Sequence, residues 1–142
     1  MHLDYSFIPQ LGKTTKLLDL YVEDKLSNSG IPLSKLQFDL LKIISKHQGK
    51  NQCTMAELSG RDKTTFTRII GTLERKDLVE RNISRNDKRV KEVSITKSGE
   101  ELLKKSNPIV TEILNEIESE LSSLERDQFL GTLKIIKNKL SK

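Results

Sequence analysis

The sequence predicts a mostly α fold with a small β-hairpin, built around a helix-turn-helix and extended by helices at both ends. Three observations predict it. Aromatic residues make up only 4% of the chain and Trp is absent, so Leu and Ile on several helices must supply the core. Two helical patterns meet at a short turn containing Gly60. Beyond Leu78 the apolar period shortens from helical to alternating.

A first helix is expected from about Phe7 to Ser27, with Pro9 tolerated in its first turn and Gly30 and Pro32 ending it. Ser34 and Gln37 then form a capping box, Leu33 and Phe38 occupy staple positions, and Leu40, Leu41, Ile43 and Ile44 supply an inward stripe that stops near His47. Asn51 caps a short helix carrying Met55, Ala56 and Leu58, which closes at Gly60. Asp62 caps the next helix, which reaches about Lys76. Val79, Arg81 and Ile83, and then Lys91, Val93 and Ile95, alternate with polar positions around the turn-rich stretch Ser84 to Arg89. That pattern is a hairpin with a basic tip. Thr96 caps a long helix interrupted by Pro108, and a final helix places Phe129, Leu133, Ile136 and Leu140 at helical spacing.

At 142 residues with 35% hydrophobic content, the chain fits one domain spanning 1–142. No apolar run approaches the roughly 20 residues that cross a bilayer, and the N-terminal residues lack the layout of a signal peptide, so the expected location is cytoplasmic and no membrane partner is expected. Cys53 is the single cysteine, which excludes an internal disulfide and leaves no cluster for a structural metal. The net charge is +5. Between Arg61 and Lys97 eleven basic residues stand against six acidic ones, an excess equal to that whole charge. Charge focused in so short a segment points to a polyanion partner.

The helix after Asp62 carries the sharpest signal. Turning 100° per residue from Phe66 places Ile69, Ile70 and Leu73 on the buried side and Thr64, Arg68, Gly71 and Arg75 opposite. An apolar back with a front of hydroxyls, glycine and arginines suits the major groove, where Arg bonds guanine O6 and N7 and Thr meets a base edge or a thymine methyl. Thr64 and Thr65 lie in the first turn, the part of such a helix that points into the groove. The hairpin tip, Arg85, Asn86, Asp87, Lys88 and Arg89, follows directly and is placed to reach the adjacent minor groove.

Residues 33 to 103 resemble the MarR family of bacterial winged-helix regulators. The resemblance rests on Met55-Ala56-Glu57 followed by Gly60 through Arg68, on Leu73 through Val79 with Arg81, on Asp87 and Arg89 as an Asp-x-Arg wing motif, and on Ser94 through Gly99. It implies a winged helix-turn-helix lobe at 33–97 and dimerisation helices at 1–32 and 98–142. It also implies a transcriptional regulator, most simply a repressor, that binds a pseudo-palindromic site on double-stranded DNA as a homodimer and is released by a small-molecule effector. The DNA-binding residues expected on the recognition helix are Lys63, Thr64, Thr65, Thr67, Arg68 and Arg75. Those expected on the wing are Arg85, Asp87, Lys88 and Arg89, with Arg89 in the minor groove and Asp87 holding the wing in shape. One departure is visible: Asp77 stands where the family usually has Gly before Leu-Val.

Other signals fail on chemistry. Gly12-Lys13-Thr14 lacks the upstream glycine of a phosphate loop, since Phe7 stands there. His2, His47 and Cys53 do not assemble a metal site, and His47 suits a helix C-terminus. Glu116, Glu118 and Glu120 scatter around a helix as a solvated face. A thiol switch at Cys53 is disfavoured because the family's peroxide sensors carry their cysteine in the first helix. No nucleophile, base and orienting group can be assembled, so neither an enzyme nor a cofactor is expected. The alternative reading is a winged-helix module that contacts an acidic protein partner without sequence-specific DNA binding.

Overall fold

The computed structural model describes residues 6–141; residues 1–5, which include His2 and the start of the first expected dimerisation segment, and Lys142 lie outside the described residues. The elements run α1 (Phe7–Asn28), α2 (Lys35–Lys46), α3 (Gln52–Ser59), α4 (Lys63–Arg75), β1 (Val79–Ile83), β2 (Lys91–Ile95), α5 (Lys97–Ser119) and α6 (Ser123–Leu140).

Local signals account for the boundaries. Ser34 and Gln37 close the expected capping box, Leu33 and Phe38 are both buried, and His47 is the C-cap of α2. Asn51 accepts from Thr54 N–H to start α3, and Gly60 ends it in the left-handed region at φ 70°. At the end of α4, Leu78 N–H bonds Leu73 C=O at 3.0 Å and Asp77 N–H bonds Glu74 C=O at 2.9 Å, a Schellman motif. Its left-handed residue is Asp77, with φ 61°, where a glycine would fit without strain.

One expectation changes. Pro108 does not interrupt α5, which runs unbroken from Lys97 to Ser119. Pro108 and the residue four before it, Lys104, are both exposed, so water can satisfy the carbonyl that the missing N–H leaves free. Ile83, which shares the alternating positions of its strand with Val79 and Arg81, is 63% exposed. The register explains this: Val79 pairs with Ile95 and Arg81 with Val93, but Ile83 pairs with exposed Lys91, beyond the helices that cover the other two pairs.

The core joins Val22 and Leu26 of α1, Phe38, Leu41 and Ile44 of α2, Met55 of α3, Phe66, Ile70 and Leu73 of α4, and Val93 of β2, and Val110 and Ile113 of α5 close it. Gly99 lets α5 begin against this core. A Cβ there would overlap the Leu78 carbonyl oxygen and lie 2.6 Å from Ile95 Cγ1. The chain before α3 also meets the outer edge of β2, where Val93 N–H bonds Lys50 C=O at 3.1 Å and Asn51 bridges Glu92. No part of the alternation pattern announces that third pairing.

The terminal helices are unlike the rest. No residue of α6 is buried, and Phe129, Leu130 and Leu140 are each more than half exposed. On α1, Leu17 and Tyr21 face solvent beside Ile117 of α5. A helix with an apolar side and nothing to cover it lacks most of the burial that stabilises helices in proteins.

Candidate nucleic-acid interface

The two helices that flank Gly60 hold the site. Their contact buries Met55 and Ala56 of α3 against Phe66 and Ile70 of α4, so one side of α4 is committed to the core. The opposite side, as the 100° rule expects, carries exposed Thr64, Arg68 and Arg75, with Lys63 exposed at the first position. Asp62 caps α4. Its carboxylate accepts from Thr65 N–H at 3.3 Å. The Thr65 side chain, then that N–H and the nearby Arg68 charge, hold the Asp62 carboxyl below its usual range.

The expected contacts divide by what already occupies them. Lys63, Thr64 and Arg68 are exposed, and their side chains bond no protein group among the described residues. Half-buried Thr65 serves the Asp62 cap, and half-buried Thr67 accepts from Gln52 Nε2 at 2.8 Å. Arg75 is exposed but folds back, donating from Nη2 to Thr72 Oγ1 at 3.1 Å and covering Gly71. It shares a face with Arg68 and lies about 10 Å further along the axis, at 1.5 Å per residue.

The wing is shaped by its own polar groups. Ser84 N–H bonds Val90 C=O at 2.8 Å and Val90 N–H bonds Asp87 C=O at 3.0 Å, closing the loop. Asp87 Oδ1 accepts from Arg89 N–H at 3.0 Å and lies 3.5 Å from Arg89 Nε. The Arg89 side chain is nonetheless 93% exposed. Arg85 and Lys88 are exposed as well. The Asp87 carboxylate is thus engaged within the turn. Ser84 escaped the sequence reading: it is buried, and its hydroxyl accepts from Asn86 N–H at 3.2 Å.

Arg81 ties wing to helix, bonding Glu74 through Nη2–Oε1 at 2.8 Å and Nε–Oε2 at 3.4 Å. The guanidinium holds the Glu74 carboxyl below its usual value, against a smaller opposing effect of burial. Among the described residues no three His, Cys, Asp or Glu side chains gather as metal ligands, and no helix is long and apolar enough to cross a membrane. Cys53 is exposed in the first turn of α3.

An α2–α3–α4 core, a short turn between α3 and α4, and a two-stranded wing with an exposed basic tip define a winged helix-turn-helix protein. Residues 33–91 match the MarR family model. The chain is 27% identical over 106 residues to the transcriptional regulator HosA of Escherichia coli, covering 75% of this chain and 78% of HosA. It is 34% identical over 89 residues to the transcriptional repressor MprA of E. coli strain K12, covering 61% of this chain but only 51% of MprA. The fold is similar to that of MepR from Staphylococcus aureus in a complex with DNA, with a TM-score of 0.88, 22% identity and coverage of 96% of this chain and 99% of that one. Over residues 33–91 the chain is therefore similar to the winged helix-turn-helix regulators of the MarR family.

Proposed function

We propose that the protein is a sequence-specific DNA-binding transcriptional regulator, most simply a repressor, that binds a pseudo-palindromic operator as a homodimer in the cytoplasm and has no catalytic activity. One observation carries the reading. Thr64 and Arg68 stand exposed, without a side-chain partner among the described residues, on the face of α4 opposite its buried side, where a groove-reading helix needs its donors. Residues 33–97 serve as the DNA-binding lobe and 1–32 and 98–142 as dimerisation helices. Lys63, Thr64 and Arg68 contact bases or phosphates directly, Arg75 reaches phosphate, and Arg85, Lys88 and Arg89 approach through the wing. Thr65, Thr67 and Asp87 act at the same interface by holding these residues in place. A small-molecule effector that releases the complex fits the family, and its identity follows from no residue named above.

Selection of genomic fragments by the purified protein tests the proposal. Enrichment of one inverted-repeat sequence is the expected result. Binding to all fragments alike, or to none, overturns it and leaves a module that contacts an acidic protein.

A further inference from the structure

The two helices of the helix-turn-helix are joined by one side-chain hydrogen bond among the described residues. Gln52, the first residue of α3, donates from Nε2 to Thr67 Oγ1 of α4 at 2.8 Å, across 15 positions of chain. Its other amide atom, Oε1, is buried without a partner. Burial of an unpaired carbonyl oxygen is unfavourable, so packing holds Oε1 inward against that cost.

The surroundings give the bond a task. Buried Met55, Ala56, Phe66 and Ile70 set which side of α4 faces the core, and a directional bond narrows the small rotation that non-directional apolar packing still allows. Thr67 lies on the flank of α4, 100° from Phe66 and one helical turn from Thr64. A directional bond at that flank fixes the rotation that aims Thr64 and Arg68.

We infer that Gln52 is a positioning residue for DNA recognition: through Thr67 it sets the orientation in which α4 presents Thr64 and Arg68 to base edges. The inference rests on the proposed DNA-binding function. Without the bond α4 samples a wider range of small rotations about its packed position, and apparent affinity falls by the fraction of molecules that remain correctly oriented. The loss belongs to specific binding, because phosphate contacts tolerate a small rotation better than bidentate base contacts do.

The full chain is tested as Gln52→Ala, Thr67→Val, the double variant and Thr67→Ser. Thr67→Val keeps the side-chain shape, so it removes the hydroxyl without opening a cavity. Each of the first two is expected to lose about three- to tenfold in affinity for the selected duplex, the range of one net hydrogen bond. Affinity for random duplex and the salt slope stay unchanged, the double variant is no worse than either single, and Thr67→Ser restores binding. In the free protein, amide exchange across Phe66 to Ile70 quickens in Gln52→Ala and in Thr67→Val.

Additive losses show that Gln52 does not act through Thr67, and a salt slope reduced by about 0.9 shows that it contacts phosphate directly. Either overturns the inference. Should the parent protein select no duplex, the regulatory reading fails by itself, and amide exchange decides the brace: quickened exchange sustains it and unchanged exchange overturns it.

Discussion

Arg81 of β1 and Glu74 of α4 meet through two hydrogen bonds, 2.8 and 3.4 Å, so the end of α4 and the base of the wing are fastened by one ion pair. The Glu74 carboxyl is held below its usual value by Arg81. A carboxylate whose pKa is depressed on folding stabilises fully above its unfolded value, here 4.5, and the contribution disappears as pH falls through the folded one. Because the Glu74 side chain is 39% exposed, solvent screening keeps the contribution small. Glu74→Gln should therefore cost about 0.5 kcal/mol at pH 7 and nothing once the pH is well below 4. Thermal melts of both proteins at several pH values check this. A difference that persists in acid removes the ion pair as its cause.

A left-handed Asp77 makes a second prediction about the same corner. Its φ of 61° suits glycine, is tolerable for Asp, and is unfavourable for a residue without a short polar side chain. Asp77→Gly should be at least as stable as the parent, and Asp77→Ala about 1 kcal/mol less stable than Asp77→Gly. At the neighbouring Gly99, Ala must displace the Leu78 carbonyl or the start of α5, at a cost of about 1–3 kcal/mol. Denaturant midpoints at constant slope measure all three. An unchanged midpoint for Gly99→Ala would mean that this close approach relaxes freely.

How much of this was legible depends on how local each signal is. The caps at Ser34, Asn51, Asp62 and Thr96, the left-handed turn at Gly60 and the buried side of α4 were readable because a few adjacent residues determine each. The departure at Asp77 was visible only against a family pattern, and the backbone there is left-handed, the conformation that glycine would favour. The capping box of Ser122 and Glu125 was equally local, and the reading of the final helix passed over it. The unbroken α5 depends on which side of the helix Pro108 faces, and the exposure of Ile83 on where the covering helices end. Both are tertiary facts. The same holds for the Gln52–Thr67 bond and for Arg75 lying over Gly71, and these decide which of the expected residues already have a partner within the protein.

Self-association follows from α6. A helix with no buried residue that exposes Phe129 at 52%, Leu130 at 63% and Leu140 at 76% is stable only when another surface covers it. A second copy supplies that surface symmetrically. Light scattering at micromolar concentration should report a dimer, and Leu130→Glu should shift it towards monomer by placing an unpaired charge in the interface. A monomeric parent protein contradicts this.

Arg68 is the next test, because its guanidinium is exposed and bonds no protein group among the described residues. If it bonds a guanine through both O6 and N7, Arg68→Ala should cost about 1–3 kcal/mol on the selected duplex and flatten the preference at one base position of each half-site. Binding measured across single-base variants of the duplex reads this directly. Equal weakening on every sequence would assign Arg68 to phosphate.

The wing should act through charge instead. Arg85, Lys88 and Arg89 are all exposed, and the turn that carries them is closed by backbone bonds and by the Asp87 carboxylate rather than by apolar packing. Replacing all three with Ala leaves those closing bonds in place, so the hairpin should keep its shape. Every phosphate that the protein no longer neutralises lowers the slope of log affinity against log salt by about 0.9, so the triple variant should bind more weakly and with less salt dependence. Its base preferences in the major groove should persist, because Thr64 and Arg68 sit on α4. A narrow A·T-rich minor groove attracts arginine, so removing Arg89 should also reduce discrimination at flanking A·T steps that no α4 residue touches. The measurement is a salt titration of both proteins on the selected duplex and on random duplex. Identical slopes would mean that the wing does not touch DNA, and Arg89 would then have no place in the interface.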